Sequence, residues 1–435
     1  MKRLEQFFRL SQRGATLAGE FWGGCTTFCS MAYLILAIPG LLSGAGMDVQ
    51  AVMTATCLIA AVGSIASGLA SNLPFALAPG LGFTTLFTHT LCQRYGCTWQ
   101  QALALVLLSG VVFLVLALSP LRERLNDDLP MPFKFALSAG VGLFLTLSGL
   151  INAGLITADN NLVDMGALAA PEPLLALLGI FVTAVLLIKK VPGALILGMA
   201  VTVVLGIPLG VTVLPQTLTA VPELSLTALQ PDFTVLFTLG PIPLVSALLS
   251  LVTSQYFDAL GTLLGVAGDA KLTDAIGDLA GQREAMLCCG AATCAGALLG
   301  LSNVTAMAES ATGIREGART GLSAVVTGLL FLCMLPFAPL AGMVTGAALA
   351  APLVMVGMSM MSGITQITWK HVEISLPSFL MIVGMPFTCS ITTGVMLGVV
   401  SYVVVMVCRK RTHLVAPALY FLAAVFVLNA VLDAL

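Results

Sequence analysis

"VTAMAESATGIREGARTG" spans Val304 to Gly321, and its reading decides the fold. A carboxylate, Glu309, lies within a lipid-compatible part of the chain. Ser310, Ala311, Thr312 and Gly313 follow it, and basic residues begin only at Arg315 and Arg319. An acid at the centre of a bilayer costs about 2.5–3.5 kcal/mol even on the lenient insertion scale. The segment is short and made of small residues, so it reads as a half-helix preceded by extended backbone. Its free N–H groups and its dipole would point into a cavity. Broken backbone at this depth is tolerated only where protein or a watery cavity satisfies it. The competing reading of Glu309 is an N-terminal capping acid with no ligand. Arg315 and Arg319 read as anchors at the cytoplasmic surface.

The rest of the chain agrees with this setting. Of 435 residues, 58% are hydrophobic and 9% charged, too little charge for a water-facing surface. Apolar runs of about 20 residues recur, the length that crosses a bilayer as helix. The runs are continuous rather than alternating, which argues against a β-barrel. The sequence therefore describes an all-α polytopic membrane protein. Its 43 glycines suit close helix packing in lipid. No G-x-x-x-x-G-K-[ST] loop is present, so the chain carries no ATPase of its own, and no basic face suits nucleic acid. The cysteines show no metal spacing and read as small buried hydrophobes; Cys92 with Cys97 is an alternative disulfide pair facing outside. "MKRLEQFFRLSQR" places Leu4, Phe7 and Phe8 at helical spacing and reads as an interfacial helix. The apolar run behind it is too long for a signal-peptide core.

Fourteen spans are expected, near 15–38, 49–70, 81–92, 100–118, 131–155, 173–188, 193–212, 238–264, 284–301, 307–318, 320–342, 345–362, 375–387 and 390–408. A further apolar run, 414–433, either spans or lies in the interface. With the N-terminus inside, every one of the 18 basic residues except Arg94 falls on the cytoplasmic side, including Arg122, Arg124, Lys271 and Lys370. That asymmetry follows the positive-inside rule. "ALSAGVGLFLTLSGL" (136–150) resembles "AAPLVMVGMSMMSGI" (350–364), and a short interrupted segment stands third in each half. Seven spans per repeat would invert the second copy, and paired broken segments point to a secondary transporter with a midplane site. Residues 213–237 read as an outside loop with some strand.

Few ionisable groups fall within spans. Asp258, in "TSQYFDALGTLLGVAG", is apolar-flanked, with Gln255 one turn earlier; it is a substrate or proton site, or else a structural carboxylate tying two helices together. Glu20 is close enough to the first span's start to reach the interface. The counterpart of the Glu309 segment is "NLPFALAPGLGFTTLFTHTL" (72–91), where Pro74 and Pro79 favour extended backbone before a short helix. Thr84 is a candidate donor to a ligand, with helix capping the alternative. His89, His371 and His413 show no ligand pattern.

"FDALGTLLGVAG" together with "AESATGIREGARTGLSAVVTGLLFL" resembles the AzgA-like purine permeases of the nucleobase–cation symporter-2 family. "TTFCSMAYLILAIPGLLSGAGM", "PFALAPGLG" and "PFTCSITTGVMLGVVSYV" extend the resemblance along the chain. It implies two inverted seven-helix repeats, with half-helices in spans 3 and 10. An interfacial segment (1–14) would precede a core domain (15–120 and 238–342) that moves against a gate domain (121–212 and 343–435), with 213–237 as the outside loop. It also implies uptake of a purine base with a proton across the cytoplasmic, or inner, membrane, guanine or hypoxanthine first and adenine next. Asp258 and Glu309 fall on the two family carboxylate positions. Thr84 stands where the family commonly has Asn, Gln255 where it has an acid, and Ile38-Pro39 where it has Asn-Pro. No cofactor is expected, the proton being the coupling ion, and a homodimer is implied by resemblance alone.

The chemistry fits a purine. A carboxylate accepts from ring N–H groups; Thr84, Ser310 and helix-end amides donate; Phe83, Tyr256 and Phe257 could stack on the flat ring. Glu309 would bind the base and Asp258 carry the proton, or the roles would be exchanged or shared. One rival is an anion exchanger or channel on the same fold, since helix N-termini also suit anions. The other is an intramembrane aspartyl protease, which lacks its second mid-span Asp.

Overall fold

The computed structural model describes residues 2–119, 130–159, 162–168, 170–191, 194–212, 227–269, 272, 279–337, 345–388, 391–412 and 415–434. Arg122, Arg124, Lys271, His413, the domain boundary at 120–121 and most of the 213–237 loop lie outside the described residues, as do the side chains of Leu4 and Arg315.

The first half opens with α1 (Lys2–Phe8), then α2 (Leu17–Met31) and α3 (Leu34–Ser43), which share the first span across a break at Ala32–Tyr33. Next come α4 (Val49–Ser71), strand β1 (Leu77–Pro79) and α5 (Leu81–Thr85), which continues as a π-helical stretch over Leu86–Arg94. Helices α6 (Trp99–Leu118), α7 (Met131–Asn152), α8 (Pro171–Ile188) and α9 (Ala194–Gly206) complete it, with a hairpin of β2 (Ile156–Asp159) and β3 (Leu162–Met165) after α7. The second half holds α10 (Val235–Thr238), α11 (Pro241–Asp269), α12 (Gln282–Leu299), strand β4 (Val304–Ala306) and α13 (Ser310–Arg315). It ends with α14 (Gly321–Cys333), α15 (Gly346–Met360), α16 (Val372–Thr388), α17 (Ile391–Cys408) and α18 (Pro417–Ala434).

Local chemistry sets several of these ends. The Thr16 and Asp48 side chains accept from Gly19 and Ala51 N–H groups, capping α2 and α4, and Thr98 with Gln101 forms a capping box on α6. Seven helical stretches among the described residues are long and apolar enough to cross a membrane, and shorter apolar helices lie between them. The chain is a multi-pass, all-α membrane protein. The 414–433 run is helix α18, packed on α11 and α17 with Phe426 buried and Phe421 exposed. The β2–β3 hairpin carries no strong strand pattern and was not legible. The described part of the outside loop, residues 227–237, shows no strand and instead begins helix α10.

Helices α2, α4, α6, α12, α13 and α14 pack on one another, with α4, α11 and α12 against the β1–β4 pair, while α7, α8, α9, α15, α16 and α17 form a second group. The long helix α11 touches both groups. The two stretches that resemble each other, in α7 and α15, cross at Gly142 and Gly357, where a methyl group on Gly142 would lie 2.6 Å from the Gly357 carbonyl oxygen. Small residues let such backbones approach.

Glu20 departs from its expected place. It does not reach the interface but is fully buried. One carboxylate oxygen accepts from Arg319 N (2.7 Å) and Thr320 N (2.9 Å), the other from Ser323 N (3.1 Å), so it caps α14. Arg319 in turn donates to Ile314 O and Ala318 O, closing the end of α13. Cys92 and Cys97 are free thiols.

Candidate functional site

The centre of the molecule is built where two spans break. Strands β1 and β4 pair antiparallel, with Leu77 opposite Ala306, Ala78 opposite Thr305 and Pro79 opposite Val304. Bonds from Gly80 N to Asn303 O (3.2 Å) and from Met307 N to Ala76 O (3.0 Å) continue the pairing at each end. The broken backbone thus satisfies itself, as it must in a medium without water. Each strand leads within a few residues into a short helix: Gly80 stands at the N-terminal end of α5 and Glu309 at that of α13, and the Glu309 side chain makes no capping bond.

Beside this crossing lies a narrow cleft with room for about 50 Å³ of bound atoms' centres, open on one side. Asp258 and Thr262 line it from α11, Thr305 to Glu309 from β4 and the start of α13, and Gly80 to Phe83 from α5. Tyr33 lines it from the break between α2 and α3, and Val141 and Met360 close it from α7 and α15. Among the described residues, its lining holds two carboxylates, many apolar groups and no Lys, Arg or His. Its composition suits a small, largely apolar ligand with a few hydrogen-bonding groups.

The structure sorts the eight sequence-derived candidates into two sets. Asp258, Glu309 and Phe83 line the cleft. The other five stand behind it. Thr84 is fully buried, bonded to Gly80 O (2.9 Å) and the Ser302 hydroxyl (2.8 Å). The Ser310 hydroxyl accepts from Ala76 N (3.1 Å) and so ties the start of α13 to the segment before β1. Gln255 donates to the Thr293 hydroxyl (2.6 Å) and Val304 O (3.1 Å) and accepts from Asn303 Nδ2 (2.8 Å). Tyr256 and Phe257 meet edge to face at 5.4 Å within the apolar core.

Tyr33, Thr305, Thr262 and Met360 are among the lining residues that escaped the sequence reading. Tyr33 donates from its hydroxyl to Glu309 Oε1 at 2.6 Å. Thr305 is buried beside Asp258, with a hydroxyl that forms no hydrogen bond of ordinary length. Thr262 follows Asp258 by four residues, hence on the same helix face. Met360 was an apolar residue among many. For Tyr33 and Thr262 a signal existed: a phenol inside an apolar run needs a partner, and i, i+4 spacing places a threonine over the acid.

A second cavity adjoins the first through Thr262, Ala308 and Met360. Phe135, Ser138, Ser359, Ser362 and Gln366 line it further out. It runs toward Val266 and Gln366, near the ends of α11 and of the turn after α15, where the sequence turns toward Lys271 and Lys370.

A broken-helix crossing with a shared cleft, inside a multi-pass bundle, defines a membrane transporter rather than an enzyme. The profile described as the permease family matches residues 18–397, and the chain belongs to this family, the nucleobase–cation symporter-2 permeases. It is 37% identical to the adenine permease AdeP of Escherichia coli, over 98% of this chain and 96% of that one. It is 35% identical to the guanine/hypoxanthine permease PbuG of Bacillus subtilis, over 98% and 99%. Among solved structures, the transmembrane domain of the cyanobacterial bicarbonate transporter BicA superposes with a TM-score of 0.63 at 18% identity, covering 88% of this chain and 97% of that one. That likeness shows the inverted-repeat fold.

Proposed function

We propose that the chain imports a purine nucleobase by proton symport across the cytoplasmic membrane, with its N-terminus inside. The observation that carries this reading is Asp258 and Glu309 together in one largely apolar cleft that holds no basic residue among the described ones. A purine offers ring N–H donors on a flat apolar body, and two carboxylates accept from it and hold a proton. Glu309 binds the base, Phe83 packs on its face, and Asp258 carries the proton. Thr84, Ser310 and Gln255 hold the backbone of the crossing and act through it.

Guanine and hypoxanthine are the favoured cargo on the sequence resemblance, with adenine next; relatives named for each stand at similar identity. The second cavity is the path to the cytoplasm, between a core of residues 15–120 and 238–342 and a gate of 121–212 and 343–435. Rocking of the two exposes the cleft to each side in turn. The family resemblance extends the proposal to a homodimer. An anion carrier on the same fold is disfavoured, because two carboxylates would repel its cargo.

The test is uptake of labelled guanine, hypoxanthine, adenine, xanthine and uracil in a host without base permeases, with and without an uncoupler. Uncoupler-sensitive uptake of a purine is expected. No uptake of any base by inserted protein would refute the proposal, and uptake indifferent to the uncoupler would remove the proton from it.

A further inference from the structure

Glu309 is held from one side by the first span. Helix α2 runs antiparallel to α13, and their contacts form a ladder. Gly19 packs against Gly317, and Gly23 against Gly313. The hydroxyls of Ser30 and Thr312 lie 3.0 Å apart, and Tyr33 reaches the Glu309 carboxylate. The lower rungs join the elements through backbone and small side chains. The last rung alone touches a group that faces the cleft.

We propose that Tyr33 is a positioning residue of the transport site: its hydroxyl occupies Oε1 of Glu309 and so presents Oε2 to the cargo. The inference rests on the proposed role of Glu309 in binding the base. Tyr33 is 1% exposed, and its bond to Glu309 is short, as expected where the acceptor is a carboxylate. Apart from Glu309 itself, no other residue among the described ones hydrogen-bonds that carboxylate. A glutamate has three rotatable side-chain bonds, and several rotamers could direct its carboxylate along the open side of the cleft. The phenol, fixed by burial at the break between α2 and α3, selects one. Phenylalanine would fill the same space but would release the carboxylate, so the hydroxyl and the ring have separable roles.

The test is uptake kinetics, for the purine that the wild-type protein carries, in Tyr33→Phe and in Ser30→Ala. The second variant cuts the neighbouring rung without touching the Glu309 carboxylate. Tyr33→Phe should raise the apparent KM about tenfold, equivalent to about 1.4 kcal/mol. Its maximal rate should stay within about twofold, the pattern of lost binding rather than lost turnover. Ser30→Ala should leave KM unchanged. An unchanged KM in Tyr33→Phe, or an equal rise in Ser30→Ala, overturns the proposal. Should Tyr33→Phe fail to insert, 3-fluorotyrosine at position 33 keeps the shape and alters only the strength of the donor. A changed KM at constant maximal rate then supports the role, and an unchanged KM overturns it. If the wild-type protein moves no purine, the proposed function itself fails and this inference with it. If it does, an unmoved KM removes Tyr33 alone.

Discussion

Gly23 and Gly313 meet backbone to backbone. A methyl group on Gly23 would lie 2.8 Å from the Gly313 carbonyl oxygen, and one on Gly313 would run into Gly23 O and the Thr27 hydroxyl. This contact holds the half-helix α13, and with it Glu309, against the first span. The site is therefore placed by glycines that never touch it.

Gly313→Ala should lower stability by about 1–3 kcal/mol through overpacking. Gly40→Ala is the control: nothing lies within 4 Å of a methyl group there, and α3 is helical. That variant should be neutral or gain up to about 1 kcal/mol. Thermal unfolding of the detergent-purified protein separates the two.

Glu20→Ala should destabilise by about 3 kcal/mol, because the N–H groups of Arg319, Thr320 and Ser323 lose a charged acceptor. Glu20→Gln keeps one acceptor oxygen and should fall between it and wild type. In protein that still inserts, KM for the transported base should be unchanged, since Glu20 lies outside the cleft.

Gln255→Leu removes three hydrogen bonds from a fully buried network and leaves Asn303 and Val304 short of partners. A cost of about 2–3 kcal/mol is expected. KM should rise as well, because Val304 belongs to the strand that carries Thr305. A stability loss with wild-type KM would show that the network does not position the cleft.

Met360 stands where the two cavities join. Met360→Trp should narrow that passage. Equilibrium binding of the base to purified protein should persist, while the maximal transport rate falls about tenfold or more, as when release rather than binding is limiting. Loss of binding instead would show that Met360 shapes the cleft itself more than the passage between the cavities.

Much of this was legible before the structure, and the reasons are physical. Long apolar runs mark the chain as a multi-pass helical membrane protein, because lipid leaves few alternatives. Asp258 and Glu309 stood out because acids are costly there. The half-helices announced themselves through Pro74, Pro79 and a cluster of small residues. What escaped depends on which way a side chain turns. Gln255 and Thr84 have the same polarity whether they face a ligand or a buried neighbour, and the fold turns both away from the cleft. Glu20 looked free to reach water because its partners, Arg319 to Ser323, are distant in sequence. The phenol of Tyr33, inside an apolar run, signalled a buried partner, but only the packing of α2 beside α13 shows that the partner is Glu309.

The central claim is that Asp258 couples the proton to the base. The most direct measurement compares accumulation of labelled purine by wild type and Asp258→Asn, at matched membrane levels, with and without an uncoupler. Wild type should concentrate the base and lose that ability with the uncoupler. Asp258→Asn should insert normally yet fail to concentrate it under either condition. Accumulation at the wild-type level by Asp258→Asn would contradict the account.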